Sequence, residues 1–370
     1  MTTESTKTAT GKAGSSRDPY IDNARAILIT LVVVGHLLRT ISSDSSDIID
    51  TWVYTFHMPA FVAISGYLSR SFANKPRQLG RILSALLIPY VIFQTIHAFL
   101  PVIFEGEEFD FHLWNPFWTM WFLLALFVWR LATPLLKALR YPLVFAIAIS
   151  IIAPLDPGLD KTLSIGRILS FLPFFVLGLV VRPEHLEKLK NFRYRYVGYV
   201  VLAAGLGVAI AIHNKLDMSL FYLSTSYETE DITDVYGLVS RITLLAAGGA
   251  LLLSVMMVTP RRQYWWTNIG KNSLTVYLLH AVIVFPMRES ETMDKIDGPI
   301  GTSLVIVGGI LLTLLLSREW VSRATSWITN PPIGSWFIAD PDRDNAKRKS
   351  TSGESESAKE LVGASGSNEH

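Results

Sequence analysis

The chain contains no cysteine. Disulfides, thiol nucleophiles and thiolate metal sites are therefore excluded. It is also poor in charge: Asp, Glu, Lys and Arg make up 17% of its 370 residues, whereas soluble domains carry about 25%. No cleavable signal peptide is visible, because the first seventeen residues are polar and no small-residue cleavage site follows the first apolar run. No internal repeat is evident. The formal net charge of +2 says little by itself, and no nucleic-acid partner is expected.

Half of the residues are hydrophobic, and the mean hydropathy is +0.35. Apolar runs of about 15 to 25 residues recur along the chain, close to the ~20 needed to cross a bilayer. They predict an all-α, polytopic membrane protein with about ten transmembrane helices, at 25–41, 52–69, 80–104, 116–136, 141–155, 163–181, 196–213, 238–258, 269–286 and 300–317. Residues 1–17 read as a disordered N-terminus and 18–317 as the helical core. Residues 318–338, with Trp320, Trp327 and Trp336, read as an interfacial segment, and 339–370 as a disordered polar tail.

Lys and Arg set the expected orientation. With ten spans both ends share one side, and that side also receives "RSFANKPRQLGR", "RLATPLLKALR", "RPEHLEKLKNFRYR" and "TPRRQ". About 25 of the 33 Lys and Arg fall there, which makes it cytoplasmic by the positive-inside rule. The opposite loops are acidic, as in "SSDSSDIID" and "FEGEEFD". The expected location is the plasma membrane, with both termini in the cytoplasm.

Ionisable residues inside such spans are expensive and are functional candidates by default. In "DNARAILITLVVVGHLL" Arg25 and His36 stand eleven residues apart. That spacing puts them on one helix face, offset by about 20°, and separates them by about 16 Å along the axis. Asp22, three residues before Arg25, can pair with it. His57 lies about as far below the outer edge as His36, because a short outer loop joins the first two spans. His280, in "NSLTVYLLHAVIVF", falls at the same depth. The alternative for His57 and His280 is an interhelical hydrogen bond. No carboxylate at metal-ligand spacing accompanies the three histidines, so no metal is expected.

Other candidates follow the same logic. "FHMPAFVAISGYLSR" contains Pro59, which can kink a helix, and Ser65-Gly66, which permits close backbone approach; it reads either as a packing notch or as the wall of a cavity reaching inward from His57. Trp118 and Trp129 suit interfacial belts, whereas Trp121 is deep enough to pack against a ligand. Arg167 and Arg241 fall in the outer parts of spans six and eight, where they either snorkel or bind an anionic or hydroxyl-rich group. Arg77 and Arg81, four apart at the cytoplasmic entry to span three, either express the charge bias or seat a phosphate-bearing ligand.

Five stretches together resemble the acyltransferase-3 family of integral-membrane acyltransferases, in its branch similar to fucose 4-O-acetylase. They are "YIDNARAILITLVVVGHLL", "FHMPAFVAISGYL", "RQLGRILSALLIPY", "MWFLLALF" and "NSLTVYLLH", in family order across residues 18 to 285. The resemblance implies transfer of an acyl group, usually acetyl from cytoplasmic acetyl-CoA, to a hydroxyl of a carbohydrate or glycan acceptor. The family's essential histidine falls on His36, and the arginine linked to the donor falls on Arg25. Its Ser-Gly-aromatic stretch falls on Ser65, Gly66 and Tyr67. Two features depart from the family: the additional soluble domain that many members carry after the core is not seen, and no carboxylate late in the chain matches the one that some members use.

A sugar hydroxyl attacking a thioester needs a base of near-neutral pKa, the role expected of His36; a transient acyl-histidine is the other route. His57 or a protonated His280 would then stabilise the oxyanion. The rival class is a proton-coupled transporter of a sugar or small metabolite, against which stand the lack of a repeat and of matched broken helices.

Overall fold

The computed structural model describes residues 17–159, 162–190, 195–224, 226–288, 290, 293, 295–333 and 337–338. The tails expected at residues 1–17 and 339–370 lie outside them except for residue 17, as does Trp336.

The described residues are all-helical, without a strand. The chain opens with α1 (Pro19–Leu38), whose start is set by Pro19 and by Asp18, which accepts the Tyr20 N–H at 3.0 Å. It continues with α2 (Asp44–Leu68), α3 (Pro76–Ile82) and α4 (Ile88–Phe104). A π-helical turn over Leu83–Leu87 joins α3 to α4, and Pro89, which has no N–H to give, follows it. Then come α5 (Trp121–Ala138), α6 (Pro142–Ile152), α7 (Ile165–Val180), α8 (Pro183–Lys190) and α9 (Tyr196–Ile212). The last are α10 (Ser219–Tyr222), α11 (Asp234–Val258), α12 (Thr267–Lys271), α13 (Ser273–Arg288), α14 (Gly298–Leu316) and α15 (Glu319–Thr329).

Among the described residues, six helices are long and apolar enough to cross a membrane: Pro19–Leu38, Pro76–Phe104, Trp121–Ala138, Thr162–Val180, Asp234–Val258 and Gly298–Leu316. Three more apolar helices, Pro142–Leu155, Tyr196–Ile212 and Ser273–Arg288, are shorter. The 25 residues of α2 are long enough but are diluted by polar side chains, among them Thr51, Thr55, His57 and Ser65. Six is thus the number set by length and composition, against the ten expected.

Two expected spans also have different edges. Residues 116–120 form a turn, and the helix expected from 116 starts at Trp121. The segment expected at 269–286 breaks at Asn272 into α12 and α13, where the Asn272 side-chain amide donates to Ser317 O at 2.8 Å.

The bundle is held by close backbone crossings, the packing mode that works where apolar area gives no preference for helix over lipid. A Cβ on Gly66 of α2 would sit 2.0 Å from Phe175 O of α7, and one on Gly178 of α7 would sit 1.9 Å from Ala63 O of α2. The Ser65-Gly66 notch is therefore a helix contact. Helix α1 is locked at its start: Tyr20 Oη donates to Met256 O at 2.6 Å, and Asn23 Nδ2 donates to Pro260 O and Arg262 O at 2.9 and 2.8 Å. Beside this start, Lys190 at the end of α8 bridges Asp18 and Glu187 at 2.6 and 2.8 Å. Burial opposes its charge, yet the two carboxylates outweigh burial and hold its pKa above the ordinary lysine value.

Gly66→Ala is expected to destabilise the protein by roughly 1–3 kcal/mol through overpacking. Gly249→Ala, whose added Cβ meets nothing within 4 Å, is expected to be near neutral. Thermal unfolding of the detergent-solubilised variants checks the difference.

Candidate active site

His36 lies on the last turn of α1 and is half-buried. Its ring stacks on that of His280 from α13, with centroids 5.4 Å apart and an interplanar angle of 26°. Trp118 meets it edge-on at 4.8 Å, and Tyr54 of α2 at 6.5 Å. Tyr54 in turn contacts His57 at 4.7 Å and Tyr222 at 5.6 Å. The three histidines singled out in the sequence are therefore neighbours, two in direct ring contact and the third through a tyrosine.

The rings of His36, Tyr54, His57, Trp118 and Tyr222 line a cavity of about 300 Å³, and that of His280 is buried behind His36 and is not part of the cavity wall. His36, His57, Trp118, Trp121, Arg39 and Arg167 are among the side chains that line it. Arg39, three residues after His36, lies over Tyr222 at 4.7 Å and over Tyr54 at 5.5 Å. Arg167, two residues into α7, lies 5.2 Å from the Trp121 ring. Arg241 is not a lining residue; its guanidinium donates to Ser170 Oγ at 2.6 Å and joins α11 to α7. The two arginines that sequence could not separate thus have different surroundings.

Hydrogen bonding fixes the form of the histidine rings. His57 Nδ1 lies 2.8 Å from Val53 O, and His280 Nδ1 lies 3.1 Å from Val276 O. A carbonyl only accepts, so each Nδ1 carries the proton, and each neutral ring keeps a lone pair at Nε2. His280 Nε2 and His36 Nδ1 are buried with no hydrogen-bond partner. In the neutral form, His57 and His280 accept protons and do not donate from Nε2. The oxyanion-donor role expected of His57 or a protonated His280 therefore requires a ring that carries a second proton, at Nε2.

Sequence reading missed how the Trp118 turn is built. Trp118 has φ +38°, in the left-handed region that costs a bulky side chain of order 1–3 kcal/mol. The segment before it is pinned by α4. Gln94 Nε2 donates to His112 O and Asn115 O at 2.9 and 2.8 Å, Phe117 N donates to Gln94 Oε1 at 2.9 Å, and Tyr90 Oη donates to Leu113 O at 2.6 Å. On the other side Tyr277 Oη, three residues before His280, donates to Thr119 O. Left-handed residues recur around the cavity at Leu163 and Ser164, just before α7, and at Leu223, just after Tyr222. The signal in the sequence was the polar Gln94 inside an apolar run.

At the other end of α1, Arg25 donates to Ser273 Oγ at 2.6 Å and pairs with Asp22 at 3.4 Å. Arg130 of α5, not singled out in the sequence, donates to Ser69 Oγ at 3.3 Å. Arg77 and Arg81 are exposed on α3. Ser65 donates to Phe61 O at 2.9 Å, and Tyr67 carries the Arg70 guanidinium at 3.7 Å. Neither Ser65, Gly66 nor Tyr67 lines the cavity at His36.

A helical membrane protein with a histidine–arginine cavity at one end of its bundle is the class that these features define. The chain belongs to the acyltransferase-3 family: the family model, described as an acyltransferase domain, matches residues 18–318. It is 31% identical over 210 residues to nodulation protein NolL of Mesorhizobium japonicum, covering 51% of this chain and 54% of that protein. It is 32% identical over 203 residues to nodulation protein NolL of Sinorhizobium fredii, covering 49% and 53%. The chain thus spans about half the length of the curated relatives it matches. No solved structure matches it.

Gln94→Leu removes the partners of two carbonyls and one N–H, and each buried polar group left unpaired costs ~1–3 kcal/mol. The expected result is faster proteolysis within residues 105–117, measured on the solubilised protein, with the unfolding midpoint lowered less than by Gly66→Ala.

Proposed function

We propose that the protein is an integral-membrane O-acyltransferase that transfers an acyl group, acetyl from cytoplasmic acetyl-CoA, to a hydroxyl of a carbohydrate or glycan acceptor. The observation that carries this reading is His36, half-buried at the wall of a cavity of about 300 Å³ and placed on the same helix face as Arg25. Family membership supports acyl transfer and weighs against the transporter alternative.

In this reading the chain crosses the membrane ten times, with both termini in the cytoplasm and the His36 cavity in the outer half. The lysine and arginine distribution supports that topology, and the plasma membrane is the proposed location. The donor enters from the Arg25 end. Arg25, held by Ser273 and Asp22, contacts the donor about 16 Å from His36. The exposed Arg77 and Arg81 meet its phosphates. The long, thin pantetheine arm delivers the thioester to His36 without the whole cofactor crossing.

His36 takes the proton of the acceptor hydroxyl through a ring nitrogen. The oxygen attacks the thioester carbonyl and a C–O bond forms. The tetrahedral intermediate collapses, the C–S bond breaks, and the CoA sulfur takes the proton back from the His36 imidazolium. The stacked His280, with its bare Nε2, supports His36 as a proton acceptor. The neutral His57 and His280 give their one N–H to a backbone carbonyl, so the oxyanion falls to the indole N–H of Trp118 and the phenol of Tyr54, whose rings contact His36. The aromatic wall excludes water, which would otherwise hydrolyse the thioester.

His36→Ala is expected to lower acceptor-dependent release of CoA thiol by about 10²–10⁴-fold, the usual worth of a general base. Purified protein with acetyl-CoA and a glycan acceptor provides the measurement, and full activity in that variant removes His36 from the mechanism. Arg25→Ala is expected to raise the KM for acetyl-CoA more than it lowers kcat. Unchanged CoA affinity takes Arg25 out of the donor site.

A further inference from the structure

We propose that the cavity at His36 contains an anion subsite built on Arg167 and Arg39, and that the acceptor carries a carboxylate or phosphate beside the hydroxyl that is acylated. The proposal rests on the acyltransferase reading and names the substrate class of that site.

Among the described residues, the cavity wall holds the guanidinium groups of Arg39, Arg167 and Arg288 and no Asp or Glu. Arg167 is half-buried. Among the described residues it has no hydrogen bond or ion pair, only the face of Trp121 at 5.2 Å. Arg39 has one carboxylate, Asp50, at 3.9 Å, the far edge of ion-pair range. Asp50 is buried and is not part of the wall, and its Oδ1 has no hydrogen-bond partner. The two guanidiniums are within electrostatic reach of each other and of Tyr54, so the positive charge is concentrated next to His36.

A guanidinium half-removed from water without an anion is costly, and a bundle does not keep one for packing alone. Arg241 shows the structural solution in the same protein: it is buried and spent on Ser170. Arg167 lines the cavity, and none of the described residues takes a hydrogen bond from it. A neutral sugar would offer it hydroxyls only, whereas a carboxylate or phosphate oxygen pair matches its fork and supplies the missing charge. Arg39, one turn from His36, places the second positive group on the side of the base. The acceptor is thereby oriented with its anion on Arg167 and Arg39 and its hydroxyl toward His36.

The test uses the full chain in lipid nanodiscs with acetyl-CoA, following release of CoA thiol. Three acceptors of one scaffold are compared: methyl glucoside, methyl glucuronoside and methyl glucoside 6-phosphate. At least one charged glycoside is expected to exceed the neutral one at least tenfold in kcat/KM, and which one responds distinguishes carboxylate from phosphate. Arg167→Gln is expected to cut that preference about tenfold or more, the worth of one charge-assisted hydrogen bond, with partial recovery in Arg167→Lys. A group that served only folding or only the oxyanion would lower all three acceptors in parallel and leave their ratio unmoved. Charged glycosides turned over no better than the neutral one by the wild-type protein, or a preference that survives Arg167→Gln, overturn the subsite. Loss of any His36-dependent CoA release, including slow hydrolysis without sugar, overturns the acyltransferase reading instead.

Discussion

A low-dielectric bundle must pair every polar group it encloses or open it to a cavity, and the placement of α1 follows from that constraint. The helix is enclosed by α2, α12, α13 and α14, and it carries polar groups at both ends. At its start Asn23 and Arg25 are consumed by neighbours: Arg25 by Ser273, Asn23 by two carbonyls and by Thr267, whose Oγ1 donates to Asn23 Oδ1 at 2.7 Å. Near its other end His36 has a bare nitrogen and faces open space. One end is an anchor, and the other lines a cavity.

The anchor determines where the chemistry sits. Because α1 is a single helix from Pro19 to Leu38, fixing its start against α12 and the Pro260 turn fixes the depth and rotation of His36. A Cβ on Gly270 of α12 would stand 1.8 Å from Asp22 O, so this junction admits little sliding. The partners of His36 are each rigid for a separate reason. His57 and His280 give an Nδ1–H to the preceding turn of their own helices. Trp118 is held in an unfavourable backbone conformation by Gln94, Tyr90 and Tyr277 acting on its loop. Such strain persists only where the surrounding contacts over-determine it.

Much of this was legible in the residues. The 3.6-residue period put Arg25 and His36 on one face, and the short loop between α1 and α2 put His57 at the level of His36. Hydropathy located the helices, although only six of those described meet the length and composition of a span and the edges moved at the Trp118 turn and at Asn272. The roles of the tryptophans and arginines were less legible. Trp118 suited an interfacial belt and turned out to contact His36, while Arg167 and Arg241 carried identical signals and have opposite fates. Ser65-Gly66, open as cavity wall or packing notch, packs on α7 because Phe175 O leaves no room for more than a hydrogen.

Periodicity and charge are local properties, so the sequence by itself determined the helical class, the shared face of Arg25 and His36, and the charge bias of the loops. Whether a buried cation finds a partner is not local. Ser170 reaches Arg241 and none of the described residues reaches Arg167 only because α11 and α7 meet at a particular rotation. Which histidine nitrogen is bare depends likewise on a carbonyl four residues back and on which helix faces the ring. The tertiary structure decided these matters, since they depend on distances between segments as much as 248 residues apart, such as Arg25 and Ser273.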